Sequence, residues 1–388
     1  MAVDWSQLPP DMIVMMSRKL TVYIDYLRFR AVCVNWRSAV SKRPDHLPCQ
    51  LPWLMLPNTR NNDTCRGFFS LSDDKIHWLE LPEASRRRRC CGSSQGWLVV
   101  VEESPVIRLL NPLTRAQIQL PPLTTFPNVL GFDVYRIGKE YTLQTSSGDC
   151  YSRNLKEMRD SFLKKVILSS SPASSSEYVA LAILNETGEL AFCRHGDEGW
   201  TFIEDAQPCY EDVICYKGLF YAVDRRGKVV ICDVSGVSPV VTVINTLWLF
   251  GGDILYLVEQ SGELLLVTRH LELGLVEPDM AYKTIRFEVA KLDSSSQNWV
   301  KLKGIGDHVL FLGKNSSLSL SASDYPECRR NCIYFTDDYS EVNFEGVRGD
   351  YDVGVFNLED DSIEPLLCYS QSSLLIWPPP LWITPNPF

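Results

Sequence analysis

The sequence has no apolar run long enough to cross a membrane as a helix. Such a helix needs about 20 residues, and the best candidate, Val240 to Phe250, is too short and is interrupted by Thr242, Asn245 and Thr246. It also lacks an excess of positive charge. The formal net charge is −10, which excludes the clustered basic field of a general nucleic-acid binder. Histidine is scarce: His46, His77, His195, His270 and His308 lie far apart, with no His-x-x-x-His pair. There is no Gly-x-Ser-x-Gly elbow, no Walker-type phosphate loop and no dinucleotide Gly-rich fingerprint. The expectation is therefore no catalytic residue, no metal and no cofactor, and no nucleic acid or membrane among the partners.

Cysteine is plentiful, with 13 residues. That number is odd, and Met1 to Pro10 contain Asp4, Trp5 and two prolines rather than a basic start followed by an apolar run. The thiols are expected to be reduced, many of them acting as small buried hydrophobes, in a protein of the nucleus or cytoplasm that is not secreted. Cys90 and Cys91 are adjacent, and Cys328 and Cys332 are separated by three residues. A zinc site would require further Cys or His at matching spacing. Asp337-Asp338 and Glu359-Asp360-Asp361 lack the spaced oxygen ligands of a calcium loop and read as turn residues.

The rest of the composition is that of a globular chain: 388 residues, 45% hydrophobic and 22% charged. This suits two domains, or one large all-β domain with an appendage. Charge divides them. Residues 1–45 carry seven Lys/Arg against four Asp/Glu, and the remainder 31 against 44. Residues 6–42 have helical periodicity. Asp11 follows Pro9-Pro10, suiting a first helical turn. Met12, Ile13, Met16 and Leu20 make one apolar stripe, Ile24, Leu27 and Ala31 a second, and Cys33, Trp36 and Val40 a third. Three short helices of this size bury little surface alone and call for a partner or a neighbouring domain.

Beyond Pro44, Pro48, Pro52 and Pro57 the texture is β, with no further helical pattern. Short β-branched runs such as Trp97–Val101, Val179–Leu184, Leu219–Val223 and Ile254–Val258 alternate with Gly/Asp/Ser turns. Glu186-Thr187-Gly188, Asp224-Arg225-Arg226-Gly227 and Glu259-Gln260-Ser261-Gly262 read as hairpin turns. Strand openings recur near Gly67, Gly96, Gly131, Gly218, Asp253 and Asp307, irregularly, around the ~40–50 residues of a propeller blade. About six or seven four-stranded blades are expected, with a large β-sandwich as the alternative that the repeat disfavours. Leu51–Pro57 and Pro380–Pro385 look alike and are expected to share one sheet that closes the ring. The run Arg86–Arg89 reads as a solvated loop face, or as a nuclear-import signal.

The N-terminal residues resemble the F-box. Its pattern stands here as Leu8-Pro9-Pro10-Asp11-Met12-Ile13, then Asp25-Tyr26-Leu27-Arg28-Phe29-Arg30-Ala31-Val32-Cys33, then Trp36-Arg37. The rest is similar to the KIB-type, kelch-like β-propeller attached to many plant F-box proteins. Matching stretches include Gly96–Val99, Leu109–Arg115, Leu190–Arg194, Tyr216–Asp224, Phe311–Gly313 and Asn331–Asp338. The resemblance implies an F-box over 1–45 and a propeller over 46–388. It implies a non-catalytic, substrate-recognition subunit of a Skp–cullin–F-box ubiquitin ligase. The F-box would grip a Skp-type adaptor, and through it cullin and RING subunits, while the propeller holds an unknown protein substrate. Leu8, Pro9, Ile13, Leu27, Val32, Cys33 and Trp36 are the residues expected to face the adaptor, with Leu27 and Trp36 equally suited to holding the three helices together. The alternative is a stand-alone propeller interaction module that engages no ligase.

Overall fold

The computed structural model describes residues 4–57, 63–85, 87–206, 208–244, 246, 252–276, 279–293, 295–338, 352–366 and 379–387, and for 275, 276 and 279–281 the backbone alone. The chain begins with three short helices. The first, α1 (Pro10–Ser17), starts on a proline whose missing N–H is no loss in a first turn, with Asp11 beside it. The second, α2 (Tyr23–Ala31), has Asp25 in its first turn and Arg28 and Arg30 in its last, so both ends suit the helix dipole. The third, α3 (Val34–Ala39), is capped by Cys33, whose Sγ accepts from the Trp36 N–H at 3.4 Å.

Ile13, Tyr26, Trp36, Val40 and Leu47 form the centre of this unit. The expected stripe on α2 is thereby revised. Tyr26 faces inward and donates to Ser41 O at 2.8 Å, while Ala31 is exposed. Ile24 turns the other way and is buried among Trp53, Met55, Phe68 and Leu98 of the β region. The helices are thus seated on the sheets. His46 on Ser17 O, at 3.1 Å, and the Gln50 side-chain amide on Thr21 O, at 3.0 Å, tie the connecting segment to the helices.

Seven sheets follow among the described residues. Sheet I holds Trp53–Met55, Cys65–Ser70 and Lys75–Glu80 together with Leu381–Ile383 from the far end of the chain. The first and last of these pair antiparallel, Trp53 with Ile383 and Met55 with Leu381. Sheet II is Arg88–Ser94, Trp97–Glu102, Ile107–Leu110 and Gln117–Leu120, and sheet III the three strands Val129–Phe132, Tyr141–Gln144 and Cys150–Arg153. Sheet IV opens with Leu163–Leu168, sheet V with Tyr210–Tyr216 and sheet VI with Ile254–Gln260, each a four-stranded antiparallel meander. Sheet VII, with five strands, has His308–Leu312 parallel to Cys332–Phe335. The alternation of apolar runs and turns produces these meanders because each short run can pair only with the next across a tight turn. At Gly188, φ is +66° and a Cβ would lie 2.6 Å from Cys209 Cα, so only glycine fits that turn.

Three elements depart from the sequence reading. A fourth helix, α4 (Leu155–Ser161), interrupts the β region, with a capping box in which Asn154 and Glu157 accept from each other's backbone N–H at 2.8 and 2.9 Å. The second hairpin of sheet VI, Glu263–Val276 with Asp279–Asp293, is far longer than an ordinary strand pair. Among the described residues of the basic run, only Arg87 is exposed as a solvated face would have it. Arg86 lies outside the described residues, Arg88 is half-buried against Glu102 at 3.2 Å, and Arg89 is buried, donating to Leu163 O at 3.0 Å.

Candidate functional site

Two features stand out as sites, one on the helices and one at the centre of the sheets. On the helices, the residues expected to face a partner divide by exposure. Ile13 and Trp36 are interior: Ile13 is fully buried, and Trp36 packs on Phe29 at a ring distance of 4.4 Å and donates its indole N–H to Trp5 O at 2.9 Å. Both are buried in the helical unit, Trp36 in the helix-holding role that was its equal alternative. Leu8, Leu27 and Cys33 are half-buried, and Pro9 and Val32 are exposed. The structure adds residues that the motif did not mark. Met12 and Met15, one turn apart on α1, are 44% and 54% exposed, and Val34 at the start of α3 is 78% exposed. The Asn35 side chain donates to Ser6 O at 2.8 Å and Leu8 O at 3.3 Å, which clamps the Leu-Pro segment against α3. These exposed apolar positions, Met12 and Met15 on α1, Val32 after α2 and Val34 on α3, could have been read from the sequence had the outer face of each helix been examined as well as the inner one.

At the centre, the opening strands of the sheets meet side by side. Ser94 Oγ of sheet II accepts from Leu168 N of sheet IV at 3.0 Å. Lys165 of sheet IV reaches Asp212 of sheet V at 2.5 Å, and the other Asp212 oxygen accepts from Leu257 N of sheet VI at 2.8 Å. Both members of this pair are buried. Burial raises the Asp212 pKa, opposed by the Lys165 charge beside it. One carboxylate therefore stitches three sheets. Beside it Lys164 and Arg225 share Glu211, at 2.5 and 2.6 Å. Sheets VI and VII are joined by Arg269, which has no exposed surface and donates to Asp338 and Asp352 at 2.9 Å each and to Thr336 O at 2.9 Å.

Sheet VII meets sheets I and II through the segment after Leu312. Ser316 N donates to Ser93 O at 2.7 Å, and Ser93 Oγ to Trp382 O at 2.5 Å. The backbones approach so closely that a Cβ on Gly92 would sit 3.1 Å from Lys314 O and 3.2 Å from Val166 O. Trp382 is buried against Phe311 and Tyr334. Trp200 and Trp299, at the outermost strands of sheets IV and VI, each donate an indole N–H to a carbonyl of another sheet's segment, Pro121 O and Gly227 O, at 2.9 Å. Among the described residues no cluster of three or more His, Cys, Asp or Glu could hold a metal, and the described cysteines are free thiols. Burial pushes Cys91 up to about 11 and Cys232 up to about 12, so these are inert packing groups.

Few helices at the N-terminus and a β-propeller domain of many sheets define the class of this protein. The chain belongs to the KIB1-4 β-propeller family, whose profile matches residues 68–357. Its relatives are F-box proteins. It is 32% identical to the F-box protein SKIP23 of Arabidopsis thaliana, over 98% of this chain and 96% of that one. It is 29% identical to the F-box protein At2g17036 of the same plant, over 98% and 95%. A third relative there, the F-box/kelch-repeat protein At5g24040, is 25% identical over 99% of this chain and the whole of its own length. The β-sandwich alternative is thereby set aside.

Proposed function

We propose that this chain is the substrate-recognition subunit of a Skp–cullin–F-box ubiquitin ligase, with residues 1–45 as the F-box and 46–388 as the propeller. The observation that carries the reading is the division of labour within the helices. Ile24 anchors α2 to the sheets and Ile13, Tyr26 and Trp36 form the interior, yet Met12, Met15, Val32 and Val34 remain exposed. An apolar face on a rigidly seated unit is what an adaptor would cover. The positive balance of residues 1–45 would speed encounter with an acidic adaptor. The chain supplies no nucleophile. It acts by holding a target near a charged ubiquitin, so that a bimolecular transfer becomes nearly unimolecular. It works in the nucleus or cytoplasm.

We read the sheets as a ring of six blades, I, II, IV, V, VI and VII, with sheet III outside it. What supports this is the direct bond between Ser94 and Leu168, which leaves no room for sheet III between sheets II and IV. The pairing of Trp53–Met55 with Leu381–Ile383 then closes the ring.

The test is capture of a plant Skp-type adaptor by the purified chain. Wild type should bind. The Leu8→Ala/Pro9→Ala double variant and Val32→Glu should each weaken binding by about 2 kcal/mol, roughly thirtyfold, with an unchanged melting temperature. A folded wild type that binds no adaptor would shift the reading to a stand-alone propeller module.

A further inference from the structure

At one mouth of the ring, where the opening strands of sheets IV, V and VI begin, lies a cavity of about 270 Å³. That is near the lower end of ligand pockets and suits a small group rather than a folded surface. Most of the charges around it are already spent on each other: Lys165 on Asp212, Lys164 and Arg225 on Glu211, and Asp338 on Arg269. Lys314 lines the same cavity and is different. It is 8% exposed, and among the described residues no hydrogen bond or ion pair engages its ammonium. A buried cation is retained only where something compensates it. Its chain neighbour Gly313 packs closely on Thr336, where a Cβ would fall 2.0 Å from Oγ1.

We propose that this cavity is a receptor for a single carboxylate, gripped by Lys314, and presented either by a small organic acid or by an acidic side chain reaching into the mouth of the ring. The lining selects the charge of the guest. One unpaired ammonium balances one negative charge, while Glu211, Asp212, Asp253 and Asp338 on the same walls would repel a dianion such as sulfate more strongly than a single carboxylate. Burial, with Arg89 beside it, brings the Lys314 pKa down to about 7, and Asp338, Asp337 and the Cys91 thiol oppose that. Grip on an anion therefore weakens as pH rises past neutrality. The inference does not rest on the ligase reading, because the cavity belongs to the ring alone.

The full chain is titrated calorimetrically with propionate, with the α-amide of N-acetylglutamate, and with sulfate. In parallel, reductive methylation of Lys314 is followed by mass spectrometry with each probe present. A carboxylate probe should bind saturably at pH 6 and about tenfold more weakly at pH 8, as the ammonium deprotonates. It should slow methylation of Lys314 and leave the largely exposed Lys301 unchanged. Binding should vanish in Lys314→Met with an unaltered circular dichroism spectrum. Protection by propionate as well as by the glutamyl amide indicates a small acid as guest, and protection by the amide alone indicates a side chain. The proposal is overturned if neither carboxylate protects Lys314 in the wild type, if sulfate protects it equally, or if a folded Lys314→Met binds as the wild type does.

Discussion

Arg269 is held between two carboxylates with no surface in contact with solvent. Burial by itself would make its guanidinium easier to deprotonate, but Tyr256, Asp338 and Asp352 more than reverse that and hold it firmly charged. Its worth lies in what its loss would strand. Arg269→Met removes the partner of two nearly buried carboxylates, and the expected destabilisation is about 3–5 kcal/mol, read from the midpoint of urea unfolding. Lys314 behaves in the opposite sense. Its pKa is depressed from 10.5 to about 7, so the folded chain holds this proton less tightly than the unfolded chain does. Unfolding then takes up a proton between those values, and stability rises with pH across that window. Lys314→Met should be more stable than wild type at pH 7, and the gap should close by about 1.4 kcal/mol per pH unit above it. Parallel pH profiles for the two proteins would contradict this. Neither residue was marked in the sequence, because a single Arg or Lys in a β-rich chain carries no sign of burial until its neighbours are known.

Elements follow local signals where those signals are strong. Pro10 with Asp11 and the Gly-containing hairpin turns lie where the sequence places them, since capping and positive φ are properties of a few consecutive residues. The capping box of α4 was just as local and went unread beneath the surrounding β pattern. Asn154→Ala should cost about 1 kcal/mol, measured by thermal unfolding, with little change in overall β content. The length of the Glu263–Val276 and Asp279–Asp293 hairpin was less legible, because exposed Leu273 and Ile285 and the charges among them make a broken apolar pattern. On the helices, the motif marked residues without separating interior from surface. A stripe shows which residues can be apolar together. Whether Ile13 faces a partner or Tyr26 depends on which side is already covered.

Over the whole molecule, stability depends on closing the ring. Leu381–Ile383 contributes a buried strand to sheet I, and Trp382 enters the core shared by Leu54, Phe69, Val309 and Phe311. Removing residues from Pro379 onward should unseat both ends. The expected outcome is loss of cooperative melting or a soluble aggregate by size-exclusion chromatography. A monomer with wild-type stability would argue against closure through this strand. At the centre, the buried Lys165–Asp212 pair is clamped between neighbouring opening strands, with the second Asp212 oxygen satisfied by Leu257 N. By itself the sequence determined the family, the helical start, the β texture and the likeness of the two ends, because these depend on residue type, periodicity and short spacing. Only the tertiary structure decided which helical residues are interior, how the opening strands adjoin, and that Lys314 lies in a cavity beside Asp338 with no ion-pair partner among the described residues. Burial and pairing are relations between segments far apart in the chain, fixed when the sheets come together.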